Sequence, residues 1–329
     1  MTTPVIPGWS RTSDVRNLVL TDACPMNVVL NWLYPDEVAG TVWWVLGSTL
    51  HKGIELTTAD DLSYQDGLAE CFLEMKMLLH ANRKVGTIES SSARRKRSLA
   101  TIDEDITRMY TTWWNAVHPD GASRLHWYDD YDWPPKVEYM ISLPDEVKRS
   151  DAALFTEVDA IFEGGPSDRP VAIVDWKTGS SKTADHAQLQ IYRYGLHMED
   201  RNVPPMSRVV SDLWFPNGAG SFIGWFHHLD ANKIQIVDPY LGNTVVQHWL
   251  TMTSAYKKAM VEENTIVATN SFLCQNYNNA QALCPTCAPE PTEVKEWHEI
   301  LGRLERAKVQ KVPTGLLSSE DSHGKDDDG

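Results

Sequence analysis

The stretch VAIVDWKTG, residues 171–179, decides the fold. It begins as a short apolar run that reads as a buried strand, and it ends with Asp175 and Lys177 two residues apart, followed by Thr178 and Gly179. Side chains alternate across a strand, so Asp175 and Lys177 face one way while Val174 and Trp176 face the other. A buried aspartate is costly unless a lysine, a metal or hydrogen bonds compensate it. A plain ion pair meets that need, and so does a cation site.

The preceding segment weighs on the choice. FTEVDAIFEG, residues 155–164, reads as another strand with Asp159 near its middle, on the face shared with Glu157, and the Gly164-Gly165-Pro166 connection returns the chain into the Asp175 strand. If the two strands pair, Asp159 and Asp175 approach one point. Two carboxylates held together need a divalent cation or a shared proton, and an oxygen-rich site suits Mg²⁺ or Mn²⁺. Lys177 then orients an attacking water and offsets charge that grows on phosphorus, so the chemistry implied is phosphodiester hydrolysis.

Two further stretches fit that pocket. GSTLHKGIE, residues 47–55, puts His51 on a helix with Glu55 one turn later, where the imidazole can supply a metal ligand. QLQIY, residues 188–192, puts Gln188 and Tyr192 one turn apart on the helix after the lysine strand, where amide and phenol can brace the lysine or hold phosphate. Taken alone, each of these also reads as an ordinary helix position.

The remaining pattern frames these motifs. CPMNVVLNWLY, VWWVLGSTLHKGIEL, LSYQDGLAECFLEMKMLLHA and about residues 95–117 predict helices across the first 120 residues. RLHWYDD, KVEYMISLP, ALFTEVDAIFEG and PVAIVDWKTG predict strands, DHAQLQIYRYGLHMED a helix, and RVVSDLWFPNGAG with FIGWFHHLD two more strands joined by an Asn-Gly turn. A long helix over 243–262 and a last exposed helix in TEVKEWHEILGRLERAKVQ complete the chain. That order predicts one α/β domain with a central mixed sheet, flanking helices and an N-terminal helical region.

Taken in order, GSTLH, EVDAIFEG, VDWKTG and QLQIY resemble the successive motifs of the RecB-type nucleases of the PD-(D/E)XK superfamily. The resemblance covers about residues 16–290; a C-terminal helix over 291–312 and an acidic, disordered tail over 313–329 lie outside it. It implies a restriction-endonuclease-like core in which His51, Asp159 and Asp175, with the Trp176 carbonyl, hold the catalytic Mg²⁺ or Mn²⁺. Lys177 is then the catalytic lysine, and Gln188 and Tyr192 support the site and contact DNA. Glu138, in KVEYM, is similar to an upstream strand glutamate. Relatives act as DNA exonucleases in recombination, repair, phage replication and CRISPR adaptation.

Some relatives also close the domain with an iron-sulfur cluster. Cys24 looks similar to their early cysteine, and Cys274, Cys284 and Cys287 supply three late ones, which implies a [4Fe-4S] cluster; Zn²⁺ on the same thiolates and unmetallated cysteines are the alternatives. The spacing departs from the pattern, because Cys274 stands ten residues ahead of the Cys284 and Cys287 pair. Cys71 reads as a small buried apolar residue.

Composition limits the partners. A net charge of −15 argues against a generally basic nucleic-acid surface, and removing the acidic last ten residues still leaves about −11. Contact with DNA is therefore expected to be local, with Arg94–Arg97 as one candidate and a solvated patch as the plain alternative. No apolar run spans a membrane, and MTTPVIPGWSRTSD has neither a basic leader nor an apolar core, so a cytoplasmic setting is expected, in a bacterium or a phage-infected host. No phosphate-binding GxxxxGK[ST] stretch occurs, so a helicase, recombination or single-strand-binding partner is a separate protein. The rival readings are a nuclease fold that binds DNA without cutting and a metal-dependent phosphohydrolase of nucleotides.

Overall fold

Apolar residues at helical spacing build the first half of the chain. A short strand β1 (Val5–Pro7) leads to helices α1 (Thr12–Leu18), α2 (Pro25–Leu33), α3 (Val42–Ala59), α4 (Tyr64–Ala81), α5 (Ile102–Val117) and α6 (His126–Asp129). In α5, Ile102, Ile106, Met109, Tyr110, Trp113 and Val117 are buried on one face, and Asp103, Glu104 and Asp105 occupy the first turn, where carboxylates favour the helix dipole. The helix stops at His118, whose extended backbone suits the residue before Pro119. α3 and α4 approach closely: a Cβ on Gly53 would lie 2.1 Å from Cys71 Sγ. This computed structural model describes residues 5–7, 10–19, 25–35, 42–81, 99–143, 154–166, 171–178, 186–199, 222–237, 243–263, 266, 283–285 and 294–310.

The second half supplies the sheet. Strands β2 (Lys136–Leu143), β3 (Leu154–Phe162) and β4 (Val171–Lys177) are followed by α7 (His186–Glu199), β5 (Phe222–His228), β6 (Lys233–Ile236), α8 (Asn243–Glu262), α9 (Trp297–Glu305) and β7 (Lys308–Gln310). The sheet runs β2-β3-β4-β5-β6, with β4 and β5 parallel and the other neighbours antiparallel. α7 is the crossover that a parallel pair requires. β4 is central, and residues 172–176 are all buried, as expected of a strand covered on both faces.

One apolar cluster joins the sheet to α3, α4 and α5, and a second joins it to α1, α7 and α8. A third gathers Ile6, α2, Met260, Leu283, Cys284, Ile300 and Leu304. No helix among the described residues is long and apolar enough to cross a membrane.

The α/β class, the mixed sheet and the helix over 243–262 agree with the sequence reading, while three details differ. RLHWYDD is not a strand: residues 126–129 form α6, and Tyr128 is buried against the sheet. The C-terminal helix is shorter than 291–312 and is not fully exposed, because Ile300 and Leu304 are buried and the chain continues into β7, which pairs in parallel with β1. β6, reached through a turn in which Asn232 has φ +46°, pairs with β5. The predicted strand over 208–220 with its Asn-Gly turn, Arg94–Arg97 and the tail over 313–329 lie outside the described residues.

Candidate functional site

Pairing places three carboxylates side by side. Val137 opposes Ala160 and Tyr139 opposes Val158, so Glu138 and Asp159 face each other across β2 and β3. The β3–β4 register, Ala160 against Val174, continued by one residue brings Asp159 beside Asp175. β2 and β3 both change face at this row. Tyr139, Ile141, Leu154 and Val158 pack on the α7 side, whereas Val137, Ala160 and Phe162 pack on the α3 side. On β2 the change is made by Glu138 itself, whose φ of +47° is a left-handed conformation costing about 1–3 kcal/mol. Strain of this kind in mid-strand persists where surrounding structure over-determines it.

α3 adds the imidazole. His51 sits beside the buried stripe of Leu46, Leu50 and Ile54, which fixes the helix against the sheet. Its Nε2 lies 3.0 Å from the Trp176 carbonyl oxygen, and its Nδ1 lies 3.5 Å from Asp159 Oδ1 and 3.7 Å from Glu138 Oε1. Ligand atoms of His51, Glu138 and Asp159 all fall within 4.8 Å of one another. Burial opposes a charge on His51, but Asp159, Glu138, Asp175 and the Trp176 carbonyl outweigh it and raise its pKa.

The carboxylates are poorly solvated. Burial pushes Glu138 up to about 8, with Asp159 adding to the shift, and pushes Asp175 up to about 6 against the pull of Lys177. Asp159 Oδ2 accepts from the Trp176 backbone N–H at 2.8 Å, which orients that carboxylate. Among the described residues Glu138 Oε1 and Asp175 Oδ2 are buried without a hydrogen-bond partner. A cation is the group that best satisfies such oxygens, and three carboxylates, one imidazole and one carbonyl form a donor set suited to Mg²⁺ or Mn²⁺.

Lys177 is gripped from two sides. Its Nζ lies 2.6 Å from Asp175 Oδ1 and donates to Gln188 Oε1 at 2.8 Å. Gln188 Nε2 in turn donates to the Tyr192 hydroxyl at 2.6 Å, and Tyr192 also bonds the Thr12 side chain, which ties the row to α1. The Phe226 ring centroid lies 5.3 Å from Nζ.

Compared with models of known protein families, the chain matches none, and comparison with curated proteins finds no match either. The geometry alone therefore carries the functional argument.

Most residues singled out in the sequence meet here. His51 meets the Trp176 carbonyl through Nε2 and Asp159 through Nδ1, and Lys177, Gln188 and Tyr192 form one chain of contacts. Asp175 lies beside Asp159 in the sheet register but is held by Lys177, and Glu138, singled out only by the family resemblance, completes the close triad with His51 and Asp159. Thr12 and Phe226 went unnoticed, because nothing in a lone threonine or a strand phenylalanine signals a site. Among the cysteines, Cys71 and Cys284 are buried free thiols; Cys24, Cys274 and Cys287 lie outside the described residues.

Proposed function

We propose that this protein is a metal-dependent DNA nuclease of the RecB type, with a restriction-endonuclease-like core, acting as an exonuclease in recombination, repair or replication. The observation that carries the reading is the alignment of Glu138, Asp159 and Asp175 on one sheet row, with His51 reaching Glu138 and Asp159 from α3 and Lys177 clamped beside Asp175. An ordinary buried ion pair needs no imidazole, no second and third carboxylate, and no strained Glu138.

His51, Glu138, Asp159, Asp175 and the Trp176 carbonyl are the residues that would hold Mg²⁺ or Mn²⁺. The cation would supply the positive charge that makes water acidic and offsets charge on a phosphoryl oxygen. Lys177 keeps its ammonium beside the reacting phosphate because Gln188 and Asp175 fix its end. From there it orients the attacking water by hydrogen bonding and offsets charge developing on phosphorus. Tyr192 acts through Gln188 by restricting the amide to the orientation that presents Oε1 to Lys177.

Under the same reading Cys24, Cys274, Cys284 and Cys287 hold a [4Fe-4S] cluster, with Zn²⁺ the lesser alternative. Cys284 shares a buried cluster with Met26, two residues after Cys24 in sequence. Action in the cytoplasm, beside a separate motor or single-strand-binding partner, fits a chain without its own phosphate-binding loop.

The test compares wild type with Asp175→Asn on end-labelled linear single- and double-stranded DNA in Mg²⁺ or Mn²⁺. Wild type is expected to cleave, and the variant, which keeps the shape but weakens a ligand, to lose at least about a hundredfold in rate. Equal cleavage by both would remove the assigned site. Cleavage of mononucleotides but not polymers would favour the phosphohydrolase reading.

A further inference from the structure

The low overall charge poses a question: where would an acidic protein hold a polyanion? The sheet register offers a place. Lys177 is the register partner of His228 on β5, and His228 is the partner of Lys233 on β6. Directly opposed residues share a face of the sheet, so Lys177, His228 and Lys233 form one row across three strands. Two strand spacings make this row about 10 Å long. It begins in the site, where Lys177 is partly exposed, and ends at exposed Lys233 on the edge strand.

Polar groups line the next position back. His228 Nε2 lies 3.1 Å from Gln235 Oε1, and Gln235 Nε2 lies 3.4 Å from His186 Nε2. The Gln235 amide thereby reaches exposed His186 at the start of α7. Neither β5 nor β6 carries an acid, in a chain with 45 of them. The acid in the turn after β5, Asp230, is neutralised by Arg108 at 2.6 Å. Lys233 makes no ion pair among the described residues.

We propose that Lys177 and Lys233, at the two ends of this row, with Gln235 and exposed His186 beside it, hold the phosphodiester backbone of the substrate strand in a track between the reacting phosphate and the β6 edge, while His228, buried at 2 % exposure, supports Gln235 from beneath. The inference rests on the nuclease reading for its starting point, but binding along the row is separable from cutting. The ligand class is a nucleic-acid strand held by its phosphates rather than its bases, because the row ends in the two cations Lys177 and Lys233 and, among the described residues of the row, presents no exposed aromatic platform. Lys233 is a binding residue for the flanking phosphates.

The test uses the full chain with Lys233→Gln, and Lys258→Gln, an exposed lysine on α8, as a charge-matched control. Affinity for a labelled oligothymidylate is read by anisotropy in EDTA, and cleavage kinetics are read in Mn²⁺ across a salt series. For Lys233→Gln the expected result is a Kd and KM raised several-fold, kcat unchanged within about twofold, and a salt slope shallower by about 0.7, the loss of one phosphate contact on a single strand. Lys258→Gln is expected to match wild type. Wild-type cleavage with KM and slope unmoved by Lys233→Gln, or moved equally by Lys258→Gln, would overturn the track and leave the nuclease reading standing. Binding that depends on Lys233 without cleavage in any metal would keep the track and overturn the nuclease reading. Absence of both binding and cleavage would overturn both.

Discussion

Lys177 answers the question its position raises. Asp175 is 1 % exposed and needs a counter-charge, which the ammonium supplies at 2.6 Å, yet Gln188 spends a hydrogen bond on holding that ammonium still. A lysine serving only as a counter-ion would not need its far end fixed. Lys177→Met is therefore expected to fold, because Asp175, already pushed up to about 6, can take a proton when the cation is gone. Its cleavage should fall by about a hundredfold or more while Mn²⁺ still binds, as read by single-turnover kinetics and titration calorimetry. Turnover within a few-fold of wild type would reject the chemical role. The pair was legible in the sequence because strand alternation places residues two apart on one face. Glu138 was legible only through the family resemblance, because its left-handed backbone breaks the alternation on which strand reading depends.

α6 shows why one element was misread and what the element does. Leu125 is extended, and the Tyr128 N–H turns back to the Leu125 carbonyl at 2.9 Å, a single turn that aromatic-rich RLHWYDD disguises as strand. The turn is anchored by a relay rather than by length. Trp225 Nε1–H donates to the Tyr128 oxygen at 3.4 Å, Tyr128 O–H donates to His227 Nδ1 at 3.0 Å, and His227 Nε2–H donates to Asn232 Oδ1 at 3.1 Å. The relay requires a neutral imidazole. Burial lowers the His227 pKa to about 4, although Asn232 pulls it upward. Above pH 6.5 neither folded nor unfolded chain protonates this group; between 6.5 and 4 the unfolded chain takes up a proton that the folded one refuses, so stability falls as pH falls. The loss is of the order of 3 kcal/mol across that window. Urea unfolding at pH 7 and pH 4.5 should show a shallower acid loss for His227→Gln than for wild type. An identical slope would mean that His227 is not held neutral.

At the scale of the whole chain, the order of helices and strands was legible, because hydrophobic period reports element type. Partnerships over long distance were not. β1 and β7 are three residues each, too short to announce themselves, and each is defined by the other. They close the third cluster, which holds α2, Cys284 and α9. A [4Fe-4S] cluster on Cys24, Cys274, Cys284 and Cys287 would pin the same region. Anaerobically purified protein is then expected to carry about four iron and four sulfide per chain. Zinc without sulfide would assign the thiolates to the alternative metal, and neither would leave the apolar contacts alone to hold the region.

α1 gives the assembly a direction in time. The helix carries Thr12, the outer support of Tyr192, and it is fastened by Asp14, whose Oδ2 meets Lys257 Nζ at 2.7 Å in a buried pair. Synthesis makes Asp14 long before Lys257, so α1 gains this fastening only after α8 has followed. Gln188 and Tyr192 can meet Lys177 earlier, because all three precede α8, but Thr12 stands on a helix whose last anchor arrives late. The outermost support of the lysine is thus completed after the grip itself.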